Sequence, residues 1–197
     1  HLVVRSFFYY AAKARKCSRI VEKTPMNVKH VPKILLAFPE SKILYIYRHP
    51  IDVYSSFRRN LHVRLESGEE IRRKHFLRST PEHFCKMYST NINSMLKQVH
   101  RRGNRVRLVR YESFTHNPKN EFSDICRFLG EPFEEQALEE KNPDLTKWKP
   151  DPHLFGQIVR TTKDWTHFIT LNEAQRIESK LEHTMRRLKY QSYTNSW

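Results

Sequence analysis

A basic residue and a hydroxyl follow a short apolar run at a spacing that suits phosphate binding. Arg48 and His49 come directly after the run 43–47, and Ser56 lies two helical turns beyond Arg48. Pro50 is favoured at the first position of a helix, so a buried strand is expected to end at Arg48 and turn at once into a helix. A guanidinium and a hydroxyl held there can bind a phosphate from two sides.

The surrounding elements predict an α/β fold. The run 43–47 is continuously apolar, which is typical of a strand covered on both faces. Strands separated by helices predict a parallel sheet flanked by helices, with ligands at the carboxyl ends of the strands. Besides 43–47, strands are expected at 18–21 (a short extended piece) and 105–111, and helices at 2–16 and 27–38 and after Pro50, Thr80, Asn117 and Thr170.

Lys23 lies just after the extended piece 18–21 and precedes Thr24-Pro25. A lysine at a strand end can donate to a bridging oxygen between a phosphate and its leaving group. Taken alone, the position of Lys23 is better explained by an ordinary surface lysine. For Arg48, the structural alternative is an ion pair with a neighbouring loop.

The composition favours an anionic partner. The formal charge is +15, from 36 Lys and Arg against 21 Asp and Glu, and it is concentrated in the stretches 58–78 and 101–110. Nucleic acid, a nucleotide, a sulfated or phosphorylated glycan and an acidic protein would all suit this charge. A solvated basic surface is the alternative for each stretch.

The chain has the length of one domain, and it contains no apolar stretch that could cross a bilayer. Its three cysteines are widely spaced and odd in number, so they predict neither a disulfide framework nor a zinc site. A reducing, cytoplasmic location is expected.

Several segments together resemble the sulfotransferases, which use 3′-phosphoadenosine 5′-phosphosulfate. The resemblance covers about residues 19 to 190. Its motifs are Glu22-Lys23-Thr24-Pro25, Arg48-His49-Pro50 with Ser56, Arg110-Tyr111-Glu112-Ser113-Phe114 with Asn117-Pro118, Phe128-Leu129-Gly130-Glu131-Pro132-Phe133, and Lys163-Asp164-Trp165 with Phe168 and Thr170.

The resemblance implies a role for each matching residue. Arg48 and Ser56 match the pair that binds the 3′-phosphate of the cofactor, and Tyr111 matches an aromatic residue near the adenine. Lys23 matches the lysine on the sulfuryl bridge in the branch with Glu-Lys-Thr-Pro, and Arg160 lies near the basic residues of the last cofactor loop. The general base is unassigned, with Glu22 and His30 as local candidates. No metal is implied.

One element of the family pattern is absent from this sequence. The Pro-x-x-Gly-Thr-Thr type loop that binds the 5′-phosphosulfate is missing, and none of the four glycines lies in a phosphate-binding context. We therefore expect residues 1–197 to form a single sulfotransferase-like domain that is incomplete at its amino terminus.

The expected reaction moves a sulfuryl group to a hydroxyl or amine of an unidentified acceptor and leaves adenosine 3′,5′-bisphosphate. The acceptor is expected to be a small molecule or a glycan, and the stretch 58–78 would suit an anionic one. Three alternatives stay open: a basic nucleic-acid-binding module, a nucleotide kinase, and a catalytically inactive nucleotide-binding domain. The nucleic-acid alternative is disfavoured because most aromatics fall on core stripes rather than among the arginines.

Overall fold

The computed structural model describes residues 2–68, 80–139 and 164–194. Two parallel strands, β1 and β2, pair in register from Ile43 opposite Val106 to Tyr47 opposite Arg110. The described elements are α1 (Leu2–Ala14), a 3-10 helix (Pro25–His30), α2 (Val31–Ala37), β1 (Ile43–Tyr47), α3 (Pro50–Glu66), α4 (Pro81–Arg102), β2 (Val106–Arg110), α5 (Tyr111–His116), α6 (Pro118–Leu129), two more 3-10 helices (Glu135–Leu138 and Trp165–His167) and α7 (Leu171–Arg187).

Most helix boundaries follow local signals in the sequence. Proline occupies the first position of α3, α4 and α6, where its missing N–H costs nothing. Thr170 and Glu173 form a capping box at the start of α7. Gly130 ends α6 with φ of 78°, a left-handed conformation that favours glycine.

Two apolar clusters hold these elements together. The larger one packs α3 and α4 against α7 around Ile51, Tyr54, Phe84, Ile92 and Ile177, all of them buried. The smaller one packs the 3-10 helix and α2 against α4 and the start of the sheet. Phe84, Tyr88, Ile92 and Met95 therefore form the core face of α4.

The α/β class is confirmed, but three expectations about its elements are wrong. Residues 18–21 form no strand, so Lys23 does not follow one. The predicted helix 27–38 is a 3-10 helix followed by α2, since Pro32 has no N–H to continue an α-helical ladder. The strand predicted for 105–111 ends at Arg110 in the structure, and Tyr111 begins α5.

The expected burial of both faces of β1 is also wrong for the described residues. Leu44 is 37% exposed and Ile46 is 64% exposed, whereas Ile43, Tyr45 and Tyr47 are partly buried on the opposite face. Within the described ranges, no helix is long and apolar enough to cross a membrane.

Candidate functional site

Arg48 and Tyr111 lie next to each other at the carboxyl ends of the two strands. Each is the first residue beyond its strand, and the last paired residues are Tyr47 and Arg110. The guanidinium carbon of Arg48 lies 4.5 Å from the centroid of the Tyr111 ring, which is cation–π geometry. Parallel pairing thus brings together two residues that are far apart in sequence.

The first turn of α3 orients the same arginine. Nε of Arg48 donates to Oδ2 of Asp52 at 3.2 Å, and both side chains are mostly shielded from solvent. Arg48 also accepts a hydrogen bond at its carbonyl from the hydroxyl of Tyr88, at 2.7 Å. The alternative in which Arg48 forms an ion pair is therefore realised in part, with a partner one helical turn away.

Ser56 lies one further turn along α3 than Asp52, so these two residues share one face of the helix at a spacing of four. The side chain of Ser56 is partly buried. The structure thus brings Arg48 and Tyr111 together at the strand ends and places Ser56 two turns into the helix that follows, and their binding roles stay predictions.

The other predicted catalytic residues lie on the segment before α2. Lys23 and His30 are exposed, and Glu22 accepts hydrogen bonds from the Thr24 hydroxyl and the Asn27 side-chain amide. These contacts are local and join Glu22 to two side chains at the start of the 3-10 helix, so they give Glu22 a structural role. Glu22 and His30 are both exposed, so burial does not single out either of them as the general base.

Part of the predicted carboxyl-terminal cofactor loop can be placed. Arg160 and Lys163 lie outside the described residues. Asp164 caps the 3-10 helix that begins at Trp165, where its Oδ1 accepts from the backbone N–H of Thr166 at 2.9 Å. The hydrogen bond from the Thr166 hydroxyl is the main cause that lowers the pKa of Asp164.

His49, to which the sequence gave no role, is a buried link in this region. Its Nδ1 accepts from the N–H of Ile51, so the ring proton is on Nε2, which donates to the carbonyl of Gln191 at 3.0 Å. Burial lowers the pKa of His49, and hydrogen bonding to Gln191 and nearby carboxylates only partly oppose it. The neutral ring therefore joins the start of α3 to the carboxyl-terminal segment.

Glu112 makes a second link between the same parts. Its Oε1 accepts from the backbone N–H of His49 at 2.8 Å, and its Oε2 accepts from the Tyr190 hydroxyl at 2.9 Å. Burial, followed by the charge of Glu112, raises the pKa of Tyr190. The Tyr190 hydroxyl therefore stays protonated and acts as a donor.

The segment after α7 was missed by sequence reasoning. Lys189 has φ of 56°, and this left-handed residue turns the chain back toward the site. Tyr193 then stacks on His49 with ring centroids 3.7 Å apart and planes 6° from parallel. Two tyrosines and a serine at the end of a chain carry no recognisable spacing, so the sequence contained no signal for this contact.

Three arginines of the basic stretch 101–110 have intramolecular partners. Arg105 donates to the backbone carbonyls of Leu35, Phe38 and Ser41. These carbonyls lie at or just beyond the end of α2, where they have no partner within the helix. Arg107 pairs with Asp124, and the guanidinium carbon of Arg110 lies 4.4 Å from the Tyr190 ring. For these three arginines, intramolecular contacts explain much of the positive charge that was expected to form a basic surface.

Comparisons with known proteins identify the family and the fold. Residues 2–135 match the model of the sulfotransferase family. A solved structure of the sulfotransferase domain from the curacin biosynthetic pathway superposes with a TM-score of 0.57 at 20% identity, and the match covers 93% of this chain and 67% of that one. At this identity the match supports the fold.

One curated relative is an uncharacterized protein of Aquifex aeolicus strain VF5. It is 27% identical over 143 residues, which is 66% of this chain and 17% of the relative. This chain thus spans about a sixth of the length of that protein. Since the family model covers more than half of the sequence, the chain belongs to the sulfotransferase family.

Proposed function

We propose that this protein is a sulfotransferase that uses 3′-phosphoadenosine 5′-phosphosulfate and transfers the sulfuryl group to a hydroxyl or amine. The observation that carries the proposal is the contact of Arg48 with both Asp52 and Tyr111 at the carboxyl end of the sheet. Ligands of open α/β sheets bind at this edge.

The donor set fits the 3′-phosphate of the nucleotide. In the proposal Arg48 supplies charged donors to that phosphate, and Ser56 supplies a hydroxyl from the face of α3 that also carries Asp52. Tyr111 supplies an aromatic surface near the adenine. Asp52 holds one edge of the guanidinium and Tyr111 lies against its face. An arginine held in this way loses little conformational entropy when the phosphate binds.

Catalysis is expected to rest on positioning and on cationic stabilisation of developing charge, as in phosphoryl transfer. When bound, the nucleotide supplies an activated sulfuryl group. In the proposal Lys23 donates to the bridging oxygen of the leaving phosphate, and Glu22 or His30 takes the proton from the acceptor. Arg160 is assigned to the same nucleotide on the resemblance alone.

Thermal unfolding with adenosine 3′,5′-bisphosphate tests the proposal. A ligand at one hundred times its dissociation constant stabilises the folded state by about 2.7 kcal/mol, which corresponds to about 5 to 10 °C in Tm for a chain of this size. Wild-type protein should show such an increase, and Arg48→Ala should lose it.

Arg127→Ala is the matched control, because it removes one positive charge from an exposed arginine whose side chain is 77% accessible. Its ligand-induced increase should equal that of the wild type. No increase in the wild-type protein, or an equal increase in Arg48→Ala, would contradict the proposal. A loss in both arginine variants would indicate general charge attraction rather than a defined site.

A further inference from the structure

The carboxyl-terminal segment 189–194 returns to the strand ends and contacts Tyr47 and His49, which flank Arg48. Tyr193 stacks on His49, which directly follows Arg48. The hydroxyl of Tyr193 also donates to Oδ2 of Asp52 at 3.4 Å. This is the same carboxylate oxygen that accepts from Nε of Arg48 at 3.2 Å.

A buried carboxylate fixes the position of this segment. Glu178 of α7 is 7% exposed, and it accepts hydrogen bonds from the backbone N–H of Tyr193 at 2.6 Å and from the Thr194 hydroxyl at 2.5 Å. The hydroxyl of Ser192 donates to the same carboxylate at 2.5 Å. Hydrogen bonds to an ionised group are stronger than neutral ones, so the ring of Tyr193 has a defined place against His49.

The geometry points to Tyr193 as a positioning residue for phosphate binding by Arg48. The stacked ring holds His49 and therefore the backbone from which Arg48 emerges. The Tyr193 hydroxyl shares Asp52 with Arg48 and so limits the rotation of that carboxylate. This inference rests on the proposed function, because it concerns the affinity for a nucleotide that carries a 3′-phosphate.

Calorimetric titration separates the positioning role from a purely structural one. Adenosine 3′,5′-bisphosphate and adenosine 5′-monophosphate, which lacks the 3′-phosphate, serve as the two probes. Tyr193→Phe keeps the stacked ring and removes the shared hydrogen bond, so it should weaken binding of the bisphosphate about threefold to tenfold, the effect of one ordinary hydrogen bond, since the contact is long at 3.4 Å. Binding of the monophosphate should change less than twofold.

Two further variants complete the experiment. In the Asp52→Ala background, Tyr193→Phe should have no additional effect on bisphosphate affinity, because position 52 no longer carries an acceptor. Tyr9→Phe is the matched control, since it removes the hydroxyl of a tyrosine that is 63% exposed on α1. Tyr9→Phe should bind both nucleotides as the wild type does.

The results distinguish the inference from the proposed function. If the wild type binds the bisphosphate and Arg48→Ala does not, while Tyr193→Phe binds it with wild-type affinity, the inference is overturned and the proposed function stands. An equal loss of affinity for both nucleotides in Tyr193→Phe also overturns it, because that pattern indicates general damage to the fold. If the wild type does not bind the bisphosphate, both fail.

Discussion

Replacing Glu178 with glutamine should destabilise the protein much more than the same change at an exposed glutamate. Oε1 of Glu178 accepts from the N–H of Tyr193, and Oε2 accepts from the hydroxyls of Ser192 and Thr194 and, at 3.3 Å, from the N–H of Thr194. All of these groups are donors in this arrangement. A glutamine side chain offers only one oxygen to them.

The expected loss follows from these contacts. If the glutamine oxygen keeps the partners of Oε2, its amide N–H groups face the N–H of Tyr193, and one buried donor is left unpaired at a cost of about 1 to 3 kcal/mol. The remaining hydrogen bonds also lose their charged acceptor, although the two hydroxyls can rotate to recover part of that loss. The free energy of unfolding should fall by about 2 to 4 kcal/mol.

Urea denaturation at neutral pH measures this change, and Glu182→Gln is the control. Glu182 lies one turn further along α7, its side chain is 69% exposed and it pairs with Arg186. The control should change the free energy of unfolding by less than about 0.5 kcal/mol, as expected for a surface ion pair. A Glu178→Gln variant within that same range would refute the idea that the carboxylate holds the carboxyl-terminal segment.

Two further predictions concern pH and backbone conformation. Burial lowers the pKa of His49 from its ordinary value of 6.5, so this residue binds a proton at a higher pH in the unfolded chain than in the folded one. The free energy of unfolding should therefore fall as the pH drops below about 6.5, and it should continue to fall until the folded-state pKa is passed. Denaturation at a series of pH values should show a weaker decline for His49→Gln than for wild type, and an equal decline would contradict the buried neutral ring. Gly130→Ala should lower the free energy of unfolding by about 1 to 2 kcal/mol because of the left-handed φ. The new Cβ would lie 3.6 Å from Nζ of Lys42, an ordinary contact that adds no steric cost. A stabilised variant in the same assay would contradict this.

Local sequence signals determined most of the helix boundaries. Pro50, Pro81 and Pro118 begin helices because proline tolerates the first helical position, and Gly130 ends one because glycine accepts a left-handed φ. The strand 43–47 was predicted with its observed limits, because a run of β-branched and aromatic residues between polar ones is a local pattern.

The sequence also predicted that Arg48 is the first residue beyond a strand, whereas it assigned Tyr111 to the strand 105–111 itself. It did not show that Tyr111 begins a helix or that residues 18–21 form no strand. A strand needs a hydrogen-bonding neighbour, and the presence of a neighbour is a property of the tertiary structure. The exposure of Leu44 and Ile46 likewise depends on what packs against the sheet.

The orientation of Arg48 depends on one local contact, with Asp52, and on contacts between distant parts of the chain. His49 meets Gln191 and Tyr193 across about 140 residues, and Glu112 joins His49 to Tyr190. No spacing rule connects such positions, because a side chain's partners across a fold are set by the path of the chain rather than by the distance along it. The sequence therefore determined which residue types lie at the strand ends, and the tertiary structure determined how they are held.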